Sequence, residues 1–137
     1  MDGKGRLILP AKLRMELGER AVISRGLDSC LYVYTSEEWD AFAAKLDTLS
    51  VLDQRSRKIH QYFMSGAVDC EIDKQGRIVV PPTLRKVLGD GKEITLVGEG
   101  RRIEIWETSR WNDHISEISD DLESMTAELA QLGTNLL

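Results

Sequence analysis

The sequence predicts an α+β fold, mainly β, built by internal duplication. Two observations predict it. The stretch Asp2-Gly3-Lys4-Gly5-Arg6-Leu7-Ile8-Leu9-Pro10-Ala11-Lys12-Leu13-Arg14, followed by Leu17-Gly18, returns as Asp73-Lys74-Gln75-Gly76-Arg77-Ile78-Val79-Val80-Pro81-Pro82-Thr83-Leu84-Arg85, followed by Leu88-Gly89. Asp, Gly, Arg, three apolar residues, Pro, Arg and Leu-Gly thus recur at a constant shift. After each copy come two short apolar runs that read as strands, then a Trp that opens a helical pattern.

Within each copy the order is turn, strand, helix. Gly5 and Gly76 suit a tight turn because they take positive φ without steric cost. Leu7-Ile8-Leu9 and Ile78-Val79-Val80 read as short buried strands. Pro10 and Pro81 suit the first helical turn, and Gly18 and Gly89 suit its stop. Ala21-Val22-Ile23 and Cys30-Leu31-Tyr32-Val33-Tyr34 read as strands joined at Gly26. Glu93-Ile94-Thr95-Leu96-Val97, the turn Gly98-Glu99-Gly100 and Arg102-Ile103-Glu104-Ile105-Trp106 answer them, with one residue inserted in the second copy.

Thr35-Ser36-Glu37-Glu38 has the form of a capping box, and Trp39, Phe42, Leu46 and Leu49 line one face of the helix it opens. A second helix is predicted from about Asp53 to Phe63. Its Arg55, Arg57 and Lys58 form a charge cluster, read as a solvated face or as a further DNA contact. Val68, Cys70 and Ile72 alternate with acids as a half-buried strand. The first copy shows no counterpart to that strand, so an in-frame extension of about nine residues ahead of Met1 is expected, since an unpaired sheet edge invites aggregation. The last helix is predicted from near Ser109. Its Trp111, Ile115, Ile118, Leu122, Met125, Leu129 and Leu132 form a heptad-like seam, which packs either on its own domain or on a neighbouring subunit. The divisions are residues 1–38 (first repeat), 39–66 (helical connector), 67–110 (second repeat) and 111–137 (C-terminal helix).

The 137 residues carry a formal net charge of −5. The acidity is concentrated late. From Glu107 onward seven acids face one base, and the rest of the chain holds 17 bases against 16 acids. A local basic patch can still bind phosphate when the total is negative, because exposed charges beyond a Debye length of ~8 Å are largely screened. No apolar run reaches the ~20 residues that span a bilayer. Cys30 and Cys70 read as buried free thiols.

His60 and His114 stand apart from the cysteines and from each other, which argues against zinc. Gly3-Lys4-Gly5 lacks the rest of a phosphate-loop pattern, and no acid pair is singled out by spacing. No enzyme activity, cofactor, metal or small-molecule ligand is expected. What the repeats do offer is a pair of small basic patches on stiff supports: Lys4, Arg6, Lys12 and Arg14 in one, Lys74, Arg77, Arg85 and Lys86 in the other. Guanidinium groups bridge phosphate oxygens or guanine O6 and N7, whereas lysine acts as a point charge. Arg14 and Arg85 either contact DNA or pair with a helix acid such as Glu16. Asp2 and Asp73 read as turn formers.

The doubled Asp-x-Lys-Gly-Arg-x-x-x-Pro-x-x-x-Arg pattern, with the Ile-Glu-Ile-Trp run before the last helix, closely resembles the MraZ family. The resemblance covers nearly the whole chain. It implies two AbrB-like, swapped-hairpin half-barrel repeats forming one pseudo-symmetric barrel with flanking helices. It implies a bacterial DNA-binding transcriptional regulator, mostly a repressor, acting on the division and cell-wall gene cluster and on its own gene. It further implies a ring-shaped homo-oligomer on direct-repeat promoter DNA, in the cytoplasm and associated with the nucleoid. Carried over by position, the DNA-binding residues are Lys4, Arg6, Arg14, Lys74, Arg77 and Arg85. Two departures stand out: the family's opening Phe-x-Gly strand has no match before Asp2, and Gln75 occupies the place of Lys4, which displaces the second lysine to Lys74. The alternatives are an antitoxin-like AbrB module that binds a protein, or a structural oligomer with incidental basic loops.

Overall fold

A computed structural model describes residues 1–89 and 93–136. Their elements run β1 (Arg6–Ile8), α1 (Ala11–Leu17), β2 (Arg20–Arg25), β3 (Leu31–Tyr34), α2 (Ser36–Asp47), α3 (Gln54–Ser65), β4 (Val68–Glu71), β5 (Arg77–Val79), α4 (Pro82–Leu88), β6 (Ile94–Gly98), β7 (Ile103–Glu107) and α5 (Thr108–Gln131). The fold is mixed α and β, as predicted, but it is not mainly β: 47% of the described residues are helical and 23% lie in strands, because the connector and C-terminal helices are long while most strands have three to five residues. Two compact units are present, Met1–Glu107 and Thr108–Leu137.

In the first unit the strands form a two-stranded ribbon, β1 with β5, and a five-stranded antiparallel sheet in the order β4-β2-β3-β7-β6. The duplication becomes an approximate two-fold axis. Leu7 pairs with its own equivalent Ile78, flanked by Arg6 with Val79 and Ile8 with Arg77. The ladder extends symmetrically: the Leu9 amide donates to the Gly76 carbonyl and the Val80 amide to the Gly5 carbonyl, both at 2.8 Å. At the centre of the sheet Tyr32 pairs with its equivalent Glu104, flanked by Leu31 with Ile105 and Val33 with Ile103. Ile23 faces Val33 as Leu96 faces Ile105. By this register Ile23 corresponds to Leu96, a shift of 73, while Tyr32 and Glu104 keep a shift of 72.

Between ribbon and sheet lies the core. Leu7, Leu9, Ile78 and Val80 from the ribbon segments meet Ala21, Ile23, Leu31, Val33, Ile103 and Ile105 from the sheet, with Leu17, Leu84 and Leu88 from α1 and α4. Burial of each large side chain of this kind is worth about 1.5–3 kcal/mol. The three-residue apolar runs are not uniformly buried, contrary to the sequence reading. Their pleat sends the first and third residues inward and the middle one, Ile8 or Val79, to solvent.

Local signals position these elements. Gly18 and Gly89 end α1 and α4 at φ of 74° and 75°. Pro10 and Pro81 stand one place earlier than expected, at the N-caps with extended ψ. Thr35 caps α2, its Oγ1 accepting from the Glu38 amide at 3.0 Å, and Asp53 caps α3. The β2–β3 turn is carried by Asp28 and Ser29, at φ of 61° and 63°. Gly26 instead makes room: a Cβ there would fall 2.5 Å from the Tyr32 ring. The sheet's other face carries an aromatic cluster of Tyr32, Tyr34, Trp39, Phe42 and Phe63. Arg25 and Tyr62 fasten α3 to β2, the Tyr62 hydroxyl donating to the Gly26 carbonyl.

In the second unit, α5 spans 24 residues and none of them is buried. Ile115, Leu122, Met125 and Leu129 are all exposed to 39% or more, and Leu132 lies beyond the helix end.

Candidate nucleic-acid interface

Each repeat builds the same turn around one carboxylate. Asp2 Oδ1 accepts the backbone amides of Lys4 and Arg6 at 2.9 Å each. Asp73 Oδ1 accepts those of Gln75 at 2.9 Å and Arg77 at 2.8 Å. A carboxylate that accepts amides a few residues further on is the usual way Asp fixes a turn. Both aspartates are turn formers, as the sequence indicated. The turns close through Gly5 and Gly76, at φ of 77° and 79°.

The same carboxylates orient the arginines. Arg6 Nε donates to Asp2 Oδ2 at 2.6 Å and Arg77 Nε to Asp73 Oδ2 at 2.8 Å. No further hydrogen bond engages either guanidinium among the described residues, and the side chains stay 39% and 32% exposed. One edge of each fork is tied down and the other donors can meet a ligand. A guanidinium held this way gives up less side-chain entropy on binding. The Arg6 amide and its guanidinium, with the Lys4 amide, hold the Asp2 carboxyl down to about 2; Asp73 is lowered in the same way by Arg77 and Gln75.

The lysines are less constrained. Lys4 and Lys74 are exposed. Gln75 fills the turn position of Lys4, donating its amide to Asp73 as Lys4 does to Asp2. The displacement of the second lysine to Lys74 is therefore a feature of the turn itself.

Arg14 and Arg85 are half-buried, and neither forms a salt bridge among the described residues, Glu16 included. Each lies on the glycine of the opposite repeat's turn: Arg14 on Gly76, Arg85 on Gly5. Arg85 Nε is buried with no hydrogen-bond partner among the described residues. Arg14 also lines a cavity of about 390 Å³ with Arg20, Lys74, Glu19, Glu71 and Asp73, a wall of mixed charge. Arg85 and Lys86 line a second, of about 350 Å³, with Pro82 and Gly89. The structure thus brings all six predicted residues onto the paired turns and the helices that pack on them.

Two features escaped the sequence. Ile8 and Val79 share the outer face of the ribbon with Arg6 and Arg77, being 69% and 51% exposed; only the assumption that every apolar residue of a short run points inward hid them. Glu104, buried on the sheet, binds Arg102 at 3.0 Å and the Trp106 indole at 2.8 Å. Burial works to raise its carboxyl, but hydrogen bonds involving Glu99, Trp106 and Arg102 outweigh it and hold it below the usual range. Arg102 also lies over the Tyr32 ring at 4.1 Å. Where the first repeat has Tyr32, the second thus has a carboxylate paired with Arg102, which also pairs with Glu99 at 2.9 Å.

Elsewhere the clusters are local. Among the described residues no group of three His, Cys, Asp or Glu is placed to hold a metal, and no helix is long and apolar enough to cross a membrane. His60 Nε2 lies 3.1 Å from Asp47. Arg57 donates to the Val51 carbonyl at 2.7 Å, and Arg55 pairs with Asp53.

The sequence pattern of the family described as "MraZ protein, putative antitoxin-like" matches residues 1–61 and 63–133. A curated relative from Halothermothrix orenii, named Transcriptional regulator MraZ, is 42% identical over 133 residues, which cover 97% of this chain and 93% of the relative.

Proposed function

The chain belongs to the MraZ family, and on that premise we propose that it is a sequence-specific DNA-binding regulator of transcription. One observation carries the proposal. Arg6 and Arg77, each held by an aspartate at its Nε, stand on one face of a single ribbon about an approximate two-fold axis. Preset guanidinium forks are suited to phosphate oxygens and to guanine edges. Lys4 and Lys74 add positive charge beside the ribbon. Arg14 and Arg85 complete the basic surface from the helices. The acidic excess of the chain is concentrated elsewhere in the sequence, from Glu107 onward.

The finer reading follows the family resemblance. The protein represses the division and cell-wall gene cluster and its own gene. It binds direct-repeat promoter DNA as a ring-shaped homo-oligomer in the cytoplasm, associated with the nucleoid. In such a ring each turn recurs around one rim, so weak individual contacts sum by multivalency.

The test is a mobility shift with the duplex upstream of the chain's own gene against an unrelated duplex, over a range of salt. Specific binding that weakens steeply with salt is expected, since each neutralised phosphate releases counterions. Equal binding to both duplexes, or none, overturns the reading. A protein partner captured in place of DNA would favour the antitoxin-like alternative.

A further inference from the structure

We propose that Ile8 and Val79 are specificity-determining residues that read thymine methyl groups in the major groove. The inference rests on the DNA-binding reading above and deepens it. These two side chains occupy equivalent positions in the two repeats, are β-branched in both, and are 69% and 51% exposed. Single exposed aliphatics are ordinary on protein surfaces. A symmetry-related pair set between two oriented arginines is not explained by that background.

The register fixes the pattern. Arg6 is directly opposite Val79, and Ile8 directly opposite Arg77. Leu7 and Ile78 point the other way, into the core. The outer face is therefore a four-residue patch with arginines on one diagonal and aliphatics on the other. Directly opposed side chains stand ~5 Å apart across a ladder. Residues two apart on one strand are separated by roughly 7 Å, about two base-pair steps.

Charge complementarity selects the occupant. Lys4, Lys74 and the two arginines make the surroundings cationic, which suits a polyanion. B-DNA's major groove admits a two-stranded β-ribbon and offers both chemistries at once, guanine O6 and N7 as acceptors and the thymine C5-methyl as the apolar contact. Each arginine has an aliphatic neighbour placed to touch an adjoining base.

The experiment uses the full chain and the upstream duplex of its own gene, amplified with either dTTP or dUTP; the latter removes the thymine methyls and leaves base pairing intact. Wild type is compared with the double variant Ile8→Ala/Val79→Ala. For wild type, affinity should fall on the uracil duplex by about fourfold for each methyl that the protein touches. The double variant should bind the thymine duplex more weakly than wild type does and discriminate little between the two duplexes. Equal binding of wild type to both duplexes overturns the proposal, and needs no variant. A double variant that keeps the full thymine preference also overturns it. A changed oligomeric mass for the variant would show that the face contacts protein, which overturns it too. If wild type shifts neither duplex, the DNA-binding reading itself has failed.

Discussion

The Arg85 guanidinium lies on the backbone of Gly5. A Cβ placed on Gly5 would fall 2.7 Å from Arg85 Nε and 2.8 Å from the Val80 carbonyl oxygen, and one on Gly76 would collide with Arg14. Each arginine-bearing turn is thus closed from outside by an arginine of the other repeat. The two turns are not independent modules: each depends on the helix of its partner.

Glycine is required in these turns twice over, by contact and by φ of 77° and 79°. A left-handed conformation costs a residue with a Cβ roughly 1–2 kcal/mol, and moving the covering arginine adds to it. Gly5→Ala and Gly76→Ala should therefore lower the melting temperature and weaken DNA binding. At Gly3 an added Cβ would meet nothing within 4 Å, so Gly3→Ala should melt like wild type. Thermal melts of the three variants check this; a Gly5→Ala protein as stable as Gly3→Ala would refute it.

Arg6→Ala and Arg77→Ala should each abolish the specific shift while leaving fold and oligomeric mass intact. A base-reading arginine is worth about 1–3 kcal/mol per site, and the loss recurs in every subunit of an assembly. Arg55→Ala is the appropriate control, because its side chain is 90% exposed and pairs with Asp53 alone among the described residues. Arg57 is less clean, since it holds the Val51 carbonyl. Binding curves and light scattering on the same samples separate a missing DNA contact from a damaged structure.

The Asp2 carboxyl, held down to about 2 from an ordinary value of 3.8, dictates a pH dependence. A carboxyl lowered in the folded state stabilises it above its unfolded value, and that contribution is lost as pH falls through the folded one. The turn should therefore hold unchanged from neutral pH to about 4 and lose this contribution between 3.8 and about 2. Asp73 follows in the same direction. Carbon NMR of the Asp2 carboxyl would follow its titration, and a midpoint near its ordinary 3.8 would contradict the geometry.

Both thiols should be inert at neutral pH. Burial pushes Cys30 up to about 12 and Cys70 up to about 11, so almost no thiolate is present to react. A colorimetric thiol reagent should label neither quickly in the native protein and both on unfolding, with Cys30 the slower because it is fully buried. Rapid native labelling of Cys30 would count against the packing described for β3.

Much of this was legible in the sequence because the signals were local. The Asp2 and Asp73 turns, the Thr35 cap and the Gly18 and Gly89 stops need only a few neighbouring residues, and all of them hold. The pairing of Leu7 with Ile78 and of Tyr32 with Glu104 was not legible. Strand pairing is set by contacts between distant segments, and a repeat in sequence does not state which copies pair. The placing of Arg14 and Arg85 on the opposite turn was hidden for the same reason. Ile8 and Val79 were misplaced for a different one: a three-residue apolar run does not reveal that its pleat turns the middle residue outward.

The C-terminal helix carries the last prediction. An isolated helix gains little from its own hydrogen bonds, and most helical stability in proteins comes from burying an apolar face. Over its 24 residues α5 buries none, yet Ile115, Leu122, Met125 and Leu129 recur at the three-, four- and seven-residue steps of a packing seam. Leaving that stripe in water forgoes about 25 cal/mol for each Å² of apolar surface, so an equivalent stripe on a second copy is a natural cover. Light scattering should give a mass several times 15.5 kDa. Leu122→Glu with Leu129→Glu should reduce that mass, because two charges per helix cannot be buried unpaired in such a seam. The double variant should keep the melting transition of the Met1–Glu107 unit, whose core contains neither residue. A wild-type monomer at high concentration would remove the basis for assembly through this helix, and an unchanged mass in the double variant would move the contact to another surface.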